Sequence, residues 1–203
     1  MNDIVYSIGE NLYLNITNRC TNECTFCIRN KARTFNQKYD LWLNQEPTAE
    51  EILEAIGDPS KYKAIVFCGY GEPLVRLEVV KEVAQKLKTK NPKTKIRLDT
   101  NGTANLFWGK NILPELKGLI DIISISLNAE DNETYLSLCR PFWGEKTYPA
   151  VIDFIKEAKK YIPEVEATVV DLPGVNIEKC HEIAQELGVK FRVRTYYEKS
   201  YVK

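Results

Sequence analysis

Apolar and polar residues alternate along the chain in segments that predict six β/α steps. Residues 64–68 form an uninterrupted apolar run, which is typical of a strand buried on both faces of a sheet. Residues 149–161 carry apolar side chains at helical spacing, so a helix is expected there. The same patterns predict strands at 12–17, 95–98, 122–127, 165–170 and 191–195, and helices around Ile52, from Leu77 to Leu87, and at 111–116, 131–138 and 177–187.

Local signals support the boundaries of these elements. Residues 3–8 and 12–17 flank a Gly-Glu-Asn turn, which predicts a short hairpin leading into the first core strand. Thr48 and Glu51 have the spacing of a capping box, so a helix begins there, and Gly57 ends it. Each predicted helix is therefore short and is joined to its neighbouring strands by short connections.

The order of elements indicates the fold class. Six β/α steps with short connections favour a mostly parallel sheet, and six steps are too few for a closed eight-stranded barrel. We predict an α/β fold, a partial (β/α)6 barrel with a short N-terminal β-hairpin, in which residues 1–203 form one domain. In such folds the chemistry lies at the carboxyl ends of the strands. Polar and glycine-rich segments follow the predicted strands at 18–20, 69–73, 99–102, 128, 171–174 and 196–197.

Composition excludes several classes of protein. Lys and Arg together number 28 and Asp and Glu also number 28, so the chain lacks the broad positive charge of a general nucleic-acid binder. It has no apolar run long enough to span a bilayer and no secretory signal at its N-terminus. We therefore expect a cytoplasmic protein without a membrane partner, in a reducing compartment.

Three of the six cysteines indicate a metal centre. Cys20, Cys24 and Cys27 are spaced C-x3-C-x2-C directly after the strand predicted at 12–17. Thiolates this close on a loop can hold one metal centre, but three ligands are one short of a complete zinc or all-cysteine iron–sulfur site. His181, the only histidine, lies in a distant predicted helix. A four-iron cluster on these thiolates would leave one iron open to a substrate or cofactor.

Several motifs resemble those of the radical S-adenosylmethionine (SAM) enzymes. The segment CTNECTFC resembles their C-x3-C-x-aromatic-C signature, with Phe26 at the aromatic position. Residues 70–73, Tyr-Gly-Glu-Pro, resemble their Gly-Gly-Glu-Pro segment, although Tyr70 replaces the first glycine. The segments VFCGYGEP, SISLNA, LCRP and KFRVR extend the likeness over nearly the whole chain, to the small radical SAM proteins associated with TatD-type nucleases.

The resemblance implies two cofactors. Cys20, Cys24 and Cys27 would hold three irons of a 4Fe-4S cluster, and the amino and carboxylate groups of SAM would chelate the fourth. An electron donor such as flavodoxin or ferredoxin would reduce the cluster. Reductive cleavage of SAM would then give a 5′-deoxyadenosyl radical that abstracts hydrogen from a substrate, so that the cofactors supply the difficult chemistry.

The resemblance also implies ten SAM-contacting residues. They are Phe26, Gly69, Tyr70, Gly71, Glu72, Asn101, Ser124, Ser126, Asn128 and Arg140. The backbone of residues 69–72 would lie beside the methionyl amino group, where a side chain would obstruct a close approach. The two serines and Asn128 would meet the ribose or carboxylate, Arg140 would pair with the carboxylate, and Phe26 and Asn101 would lie near the adenine.

The substrate remains open at this point. The TatD association suggests a nucleotide-related small molecule, but a macromolecule that covers the open barrel would also fit. A glycyl-radical-enzyme activase and a 7-carboxy-7-deazaguanine synthase-like enzyme are alternatives, and a non-catalytic iron–sulfur or zinc protein is an alternative outside the enzyme class. Five basic residues around the cysteines are either solvated or face an anionic partner: Arg19, Arg29, Lys31, Arg33 and Lys38.

Three further cysteines and a C-terminal group of tyrosines complete the predictions. Cys139 and Cys180 fall at apolar positions of predicted helices and are expected to be small core residues, and packing is also favoured for Cys68. Tyr196, Tyr197 and Tyr201 line a substrate cavity, stack on a base or close the open barrel, and the sequence does not separate these roles.

Overall fold

A computed structural model of the chain describes residues 3–196 and contains one large sheet, a two-stranded ribbon and six α-helices in that part. The strands are β1 (Val5–Ile8), β2 (Asn11–Leu14), β3 (Thr34–Phe35), β4 (Tyr39–Asp40), β5 (Ile65–Phe67), β6 (Ile96–Thr100), β7 (Ile122–Ser126), β8 (Glu164–Val170) and β9 (Lys190–Arg194). The helices are α1 (Ala49–Ile56), α2 (Leu77–Lys90), α3 (Ala104–Trp108), α4 (Asn132–Cys139), α5 (Thr147–Ala158) and α6 (Ile177–Glu186).

The large sheet confirms the predicted architecture. Its seven strands follow the order β1-β2-β5-β6-β7-β8-β9, in which β1 and β2 form an antiparallel hairpin and all other neighbours are parallel. Within the described residues no pairing joins β1 to β9, so the sheet is an open, partial barrel. Parallel order brings the carboxyl ends of six strands to one rim, where chemistry is expected.

One face of the sheet forms the apolar core. Leu14, Phe67, Leu98, Ile125 and Ala167 are fully buried on neighbouring strands, in one cluster with the apolar stripes of the helices. These side chains hold the helices against the sheet, because each buried aliphatic or aromatic side chain contributes roughly 1.5–3 kcal/mol.

The opposite face is polar, and we call it the inner face. Alternate residues of each strand point to this face, and the strand register places them beside the corresponding residues of the neighbouring strands. It includes Tyr13, Val66, Arg97, Asp99, Ser124, Ser126, Glu166, Thr168, Arg192 and Arg194, and by alternation Cys68 directly after β5. A polar face inside a partial barrel gives the site its hydrogen-bonding groups.

Capping explains where several elements begin. Thr48 accepts a hydrogen bond from the Glu51 backbone while the Glu51 side chain accepts one from the Thr48 backbone, which confirms the predicted capping box. Asp131 and Asn176 cap α4 and α6 with single hydrogen bonds, in which their side-chain oxygens accept from the Thr134 N–H and the Lys179 N–H. None of the helices within residues 3–196 has the length and apolarity of a membrane span.

The structure corrects some local predictions. The helix expected at 111–116 is a 3-10 turn, Leu113–Leu116, because Pro114 has no N–H to donate to an α-helical ladder. The helix α3 and the ribbon of β3 and β4 were not predicted. Tyr197 and Tyr201 lie outside the described residues, so the roles considered for them stay predictions, as does the assignment of residues 1–203 to one domain.

Candidate functional site

The three cysteines lie on the loop that follows β2, close to the rim of the sheet. All three are free and partly exposed. The Cys27 N–H donates to the Cys24 carbonyl oxygen at 3.1 Å, and the Asn30 N–H donates to that of Cys27 at 3.1 Å. The second and third cysteines therefore share one compact turn, which continues into a 3-10 helix at Ile28–Asn30.

The C-terminal end of α4 holds the backbone of this loop. The Glu23 N–H donates to the Cys139 carbonyl at 3.1 Å, and the Thr25 N–H donates to the Leu138 carbonyl at 2.8 Å. Asn22 forms a bridge with Pro141, and its buried side-chain amide donates to the Tyr135 hydroxyl at 3.1 Å. The backbone in the first half of the cysteine loop is thus hydrogen-bonded to the C-terminal end of α4.

The basic residues around the cysteines are partly accounted for by protein contacts. Arg29 donates to the carbonyl oxygens of Asn18 and Asn22, at 3.1 and 2.9 Å, and so links the residues on either side of Cys20. Arg19 forms a two-bond ion pair with Glu46, and Arg33 pairs with Asp40. Arg29 has a third role that the sequence did not suggest, which is to brace the cysteine loop.

The donor set of the loop fits a group held by three thiolates. It consists of three free thiols on one loop, and burial raises the pKa of Cys20 to about 11 and also raises that of Cys27, so a bound cation would be needed to ionise them. The neighbouring Cys139 thiol and burial both raise the pKa of Cys24. Within residues 3–196 no three Cys, His, Asp or Glu side chains converge as a metal site, so binding requires the thiols to turn toward one another.

The glycines of the Gly-Tyr-Gly-Glu-Pro segment are required by close packing against the end of β2. A Cβ on Gly69 would overlap Asn15, and one on Gly71 would overlap the carbonyl oxygens of Thr17 and Arg19. The Tyr70 N–H donates to the Asn15 side chain at 3.1 Å, and its hydroxyl donates to the Ala32 carbonyl at 2.7 Å. The Gly-Tyr-Gly-Glu-Pro segment therefore contacts residues on both sides of the cysteine loop.

Glu72 connects the carboxyl ends of two neighbouring strands. Its buried carboxylate accepts hydrogen bonds from the Leu74 N–H at 3.0 Å, the Thr100 hydroxyl at 2.8 Å and the Asn101 N–H at 2.7 Å. Burial raises the pKa of Glu72 to about 7. Asn101 in turn donates to the Cys20 sulfur at 3.7 Å and to Thr21 at 2.8 Å, so Glu72 positions a side chain that touches a candidate ligand.

Three other candidates meet on the inner face. Ser124 is buried and donates to Glu166 at 2.8 Å. Ser126 and Asn128 both accept from the same nitrogen of Arg194, at 3.2 and 2.9 Å. Asn128 has a left-handed backbone, with φ 60°, a conformation that Asn adopts more readily than most residues.

The remaining candidates lie elsewhere. Phe26 is half-buried against the main core. Arg140 is exposed and ends α4 with a left-handed backbone, at φ 43°. It lines a cavity of about 590 Å³ together with Cys20 and the aromatic side chains of Phe107, Phe142 and Trp143. The structure therefore places both Arg140 and Asn101 beside Cys20, from different elements.

Two residues at the site were not found from the sequence. Arg194 contacts both Ser126 and Asn128, and Cys139 connects Asn128 to the cysteine loop because the Asn128 amide lies 3.6 Å from its sulfur. Cys139 and Cys180 are fully buried, as predicted for core residues. The alternation in residues 190–194, Lys-Phe-Arg-Val-Arg, was the available signal, because it places Arg192 and Arg194 on one face of a strand.

Comparison with known proteins identifies the family. The model of the radical SAM superfamily matches residues 14–187, which is most of the chain. The chain belongs to the radical SAM superfamily. A chain described as native anSMEcpe with bound AdoMet has the same fold, with a TM-score of 0.63 at 18% identity, over 91% of this chain and 50% of that one.

Curated radical SAM relatives carry enzyme names. The chain is 28% identical over 168 residues to a probable GTP 3′,8-cyclase of Thermococcus kodakarensis, covering 82% of this chain and 49% of the relative. It is 28% identical over 178 residues to a 7-carboxy-7-deazaguanine synthase of Methanocaldococcus jannaschii, covering 83% and 67%. The chain thus spans about half to two thirds of the length of these relatives. Membership of the superfamily implies a 4Fe-4S cluster and SAM as cofactors.

Proposed function

We propose that this chain is a radical SAM enzyme that cleaves SAM reductively and uses the resulting radical to abstract hydrogen from a nucleotide-related substrate. The carrying observation is the set of three free thiols on a braced loop at the carboxyl rim of a sheet that matches the superfamily. When bound, the 4Fe-4S cluster and SAM supply a 5′-deoxyadenosyl radical. The protein supplies position, hydrogen bonds and exclusion of water.

Named residues would carry these protein roles. Cys20, Cys24 and Cys27 would hold the cluster, and Asn101 would orient Cys20 through its amide contact with the sulfur. Arg140 supplies a positive charge in the cavity beside Cys20, and the cavity, at about 590 Å³, has the volume of a typical small-ligand site. Ser126, Asn128 and Arg194 of the inner face supply hydroxyl, amide and guanidinium groups to a second part of the bound ligands.

Names of relatives support the nucleotide-related substrate. One relative is named for a reaction of GTP and another for synthesis of a deazaguanine, so both names contain a purine-type base. The 7-carboxy-7-deazaguanine synthase-like alternative therefore stays in consideration, as does a glycyl-radical-enzyme activase. A covering macromolecule, an electron donor such as flavodoxin or ferredoxin, and the association with TatD-type nucleases stay predictions.

Anaerobic reconstitution tests the proposed function. With dithionite, the reconstituted protein should convert SAM to 5′-deoxyadenosine, measured by liquid chromatography and mass spectrometry. A Cys24→Ala variant should form no 5′-deoxyadenosine above background, because one cluster ligand is missing. Cys180→Ala is the matched control, since Cys180 is buried in α6 away from the loop, and it should keep the activity.

Two results would contradict the proposal. Protein that holds a full complement of iron and sulfide yet forms no 5′-deoxyadenosine would support a non-catalytic iron–sulfur protein. Zinc bound in place of iron after anaerobic purification would support a structural metal site.

If 5′-deoxyadenosine is formed, deuterium transfer into it from labelled purine nucleotides tests the substrate class.

A further inference from the structure

The inner face carries three arginines, one on β6 and two on the edge strand β9, and two of the three are paired with carboxylates. Arg97 pairs with Asp99 through two hydrogen bonds, at 2.6 and 2.8 Å. Arg192 donates to Glu166 at 2.8 Å. Within residues 3–196 Arg194 forms no ion pair with a carboxylate, so this part of the inner face has one positive charge that no partner balances.

The guanidinium of Arg194 is fixed in place by neutral groups. One terminal nitrogen donates to the Ser126 hydroxyl and to the Asn128 amide oxygen, at 3.2 and 2.9 Å. The Nε atom is buried and has no hydrogen-bond partner in the described part of the chain. A buried donor without an acceptor costs roughly 1–3 kcal/mol, and more when it is charged. The arrangement therefore favours a ligand that brings an acceptor and a negative charge.

The groups that face Arg194 do not balance its positive charge. Asp99 and the thiols of Cys68 and Cys24 act on it from β6, β5 and the cysteine loop, and Arg192 acts on it from its own strand. Asp99 is already engaged by Arg97, and burial raises the pKa of Cys68 to about 12, so that thiol stays neutral. Burial lowers the pKa of Arg194, but a guanidinium keeps its charge in proteins.

Arg194 also lies close to the candidate metal centre. Asn128, which accepts from Arg194, contacts the Cys139 sulfur at 3.6 Å, and the Cys139 carbonyl oxygen accepts from the Glu23 N–H of the cysteine loop at 3.1 Å. The unbalanced charge is thus connected to the cysteine loop through two residues. A ligand on Arg194 would share the rim of the sheet with the group held by the thiols.

We propose that Arg194 is the anchor for an oxyanion, a carboxylate or a phosphate, of a ligand bound on the inner face at the carboxyl rim of the sheet. The planar guanidinium suits such groups because its parallel N–H donors match two oxygens at once. Two sources provide this chemistry, the carboxylate of SAM and a phosphate of a nucleotide substrate. The assignment of the ligand rests on the proposed function, whereas the anion site itself does not.

Paired ligands test the proposal by calorimetry on reconstituted and on iron-free protein. Each pair has an anionic and a neutral member at the relevant group: SAM with decarboxylated SAM, and GTP with guanosine. The variants are Arg194→Gln, which removes the charge, and Arg194→Lys, which keeps it without the planar fork. Arg192→Gln is the matched control, because Arg192 lies two residues away on the same face and pairs with Glu166.

We expect Arg194→Gln to weaken the anionic member of one pair roughly 10- to 100-fold while leaving its neutral member unchanged. Arg194→Lys should fall between, and Arg192→Gln should stay within about threefold of the wild type. A loss confined to SAM assigns the carboxylate of the cofactor, and a loss confined to GTP assigns a phosphate.

Equal affinity of the wild type for both members of each pair, or binding of none of the four ligands, would overturn the proposal. So would unchanged affinities in Arg194→Gln. If that variant melts below the assay temperature, the wild-type pairs and Arg194→Lys decide the question. The proposed function fails separately, because protein that binds the anion but forms no 5′-deoxyadenosine would retain the anion site and lose only the radical chemistry.

Discussion

Glu72 shows how one buried carboxylate organises the rim of the sheet. Two of its three hydrogen bonds join the segment after β5 to the end of β6, and one of these two fixes the backbone of Asn101. The Asn101 side chain then reaches Cys20. The glutamate of the Gly-Glu-Pro segment therefore acts on the candidate metal centre through a neighbour, as a positioning residue.

Replacing Glu72 by glutamine should lower the free energy of unfolding by about 1–3 kcal/mol. The amide keeps one oxygen but turns an NH2 group toward a donor, so at least one of the three N–H or O–H groups loses its acceptor. Urea unfolding followed by circular dichroism measures the change. Glu54→Gln, at an exposed position of α1, is the control and should shift stability by less than about 0.5 kcal/mol. Equal effects of the two changes would show that the Glu72 hydrogen bonds contribute no net stability.

At the scale of elements, α4 determines the shape of the cysteine loop. Residues 138–142 supply the backbone partners of residues 21–25, and Tyr135 inside the helix holds the Asn22 amide. Tyr135 is fully buried and its ring contacts that of Tyr148, with centroids 5.4 Å apart. The helix, which is fixed in the core, thus holds the loop in place through the Tyr135 hydroxyl and the backbone of residues 138–142.

Tyr135→Phe should accelerate loss of iron from the reconstituted protein to a chelator by roughly threefold to tenfold, because the Asn22 amide is left unpaired and the loop loosens. Tyr148→Phe is a matched control from the same ring pair. Its hydroxyl donates to the Ala129 carbonyl at 3.0 Å and does not touch the loop. Both variants should lose similar stability, but only Tyr135→Phe should change iron retention. Identical iron-loss rates would contradict a role for α4 in holding the loop.

At the scale of the whole molecule, the two faces of the sheet have different tasks. The apolar face binds the helices, while the inner face carries charged groups and small hydroxyls. The central strands β6 and β7 are paired on both sides and largely buried, whereas β9 has a neighbour only at β8 among the described strands and is mostly half-buried or exposed. Stability should therefore decrease from the centre of the sheet toward this edge.

Hydrogen exchange followed by mass spectrometry measures this gradient. Amides of β6 and β7 should exchange at least about tenfold more slowly than those of β9, because they open only with the whole core. Anionic ligand that binds Arg194 should slow exchange in β9 selectively. Uniform protection across all strands would mean that the sheet opens as a single unit.

The fold was largely predictable because its pattern is local. The apolar run at 64–68, the helical stripe at 149–161 and the capping box at Thr48 each depend on neighbours in sequence. The helix α3 was not predictable, since its five residues are too few for a periodic pattern. A long-range contact supports it, the bond from the Trp108 indole to the Leu74 carbonyl at 2.9 Å.

The site was only partly predictable. The spacing of Cys20, Cys24 and Cys27 indicated a metal centre, and the resemblance supplied the remaining candidates. The contact of Arg194 with Asn128 depends on how β9 pairs with β8 and β8 with β7, which single-strand patterns do not determine.

Bracing of the cysteine loop by α4 has a consequence for how the cluster is assembled. In a zinc finger the metal creates the fold, because no packed scaffold exists without it. Here Leu138, Cys139 and Arg29 already shape the loop through protein contacts alone. Iron and sulfide would therefore be inserted after the chain has folded. Loss of the cluster would inactivate the protein without unfolding it.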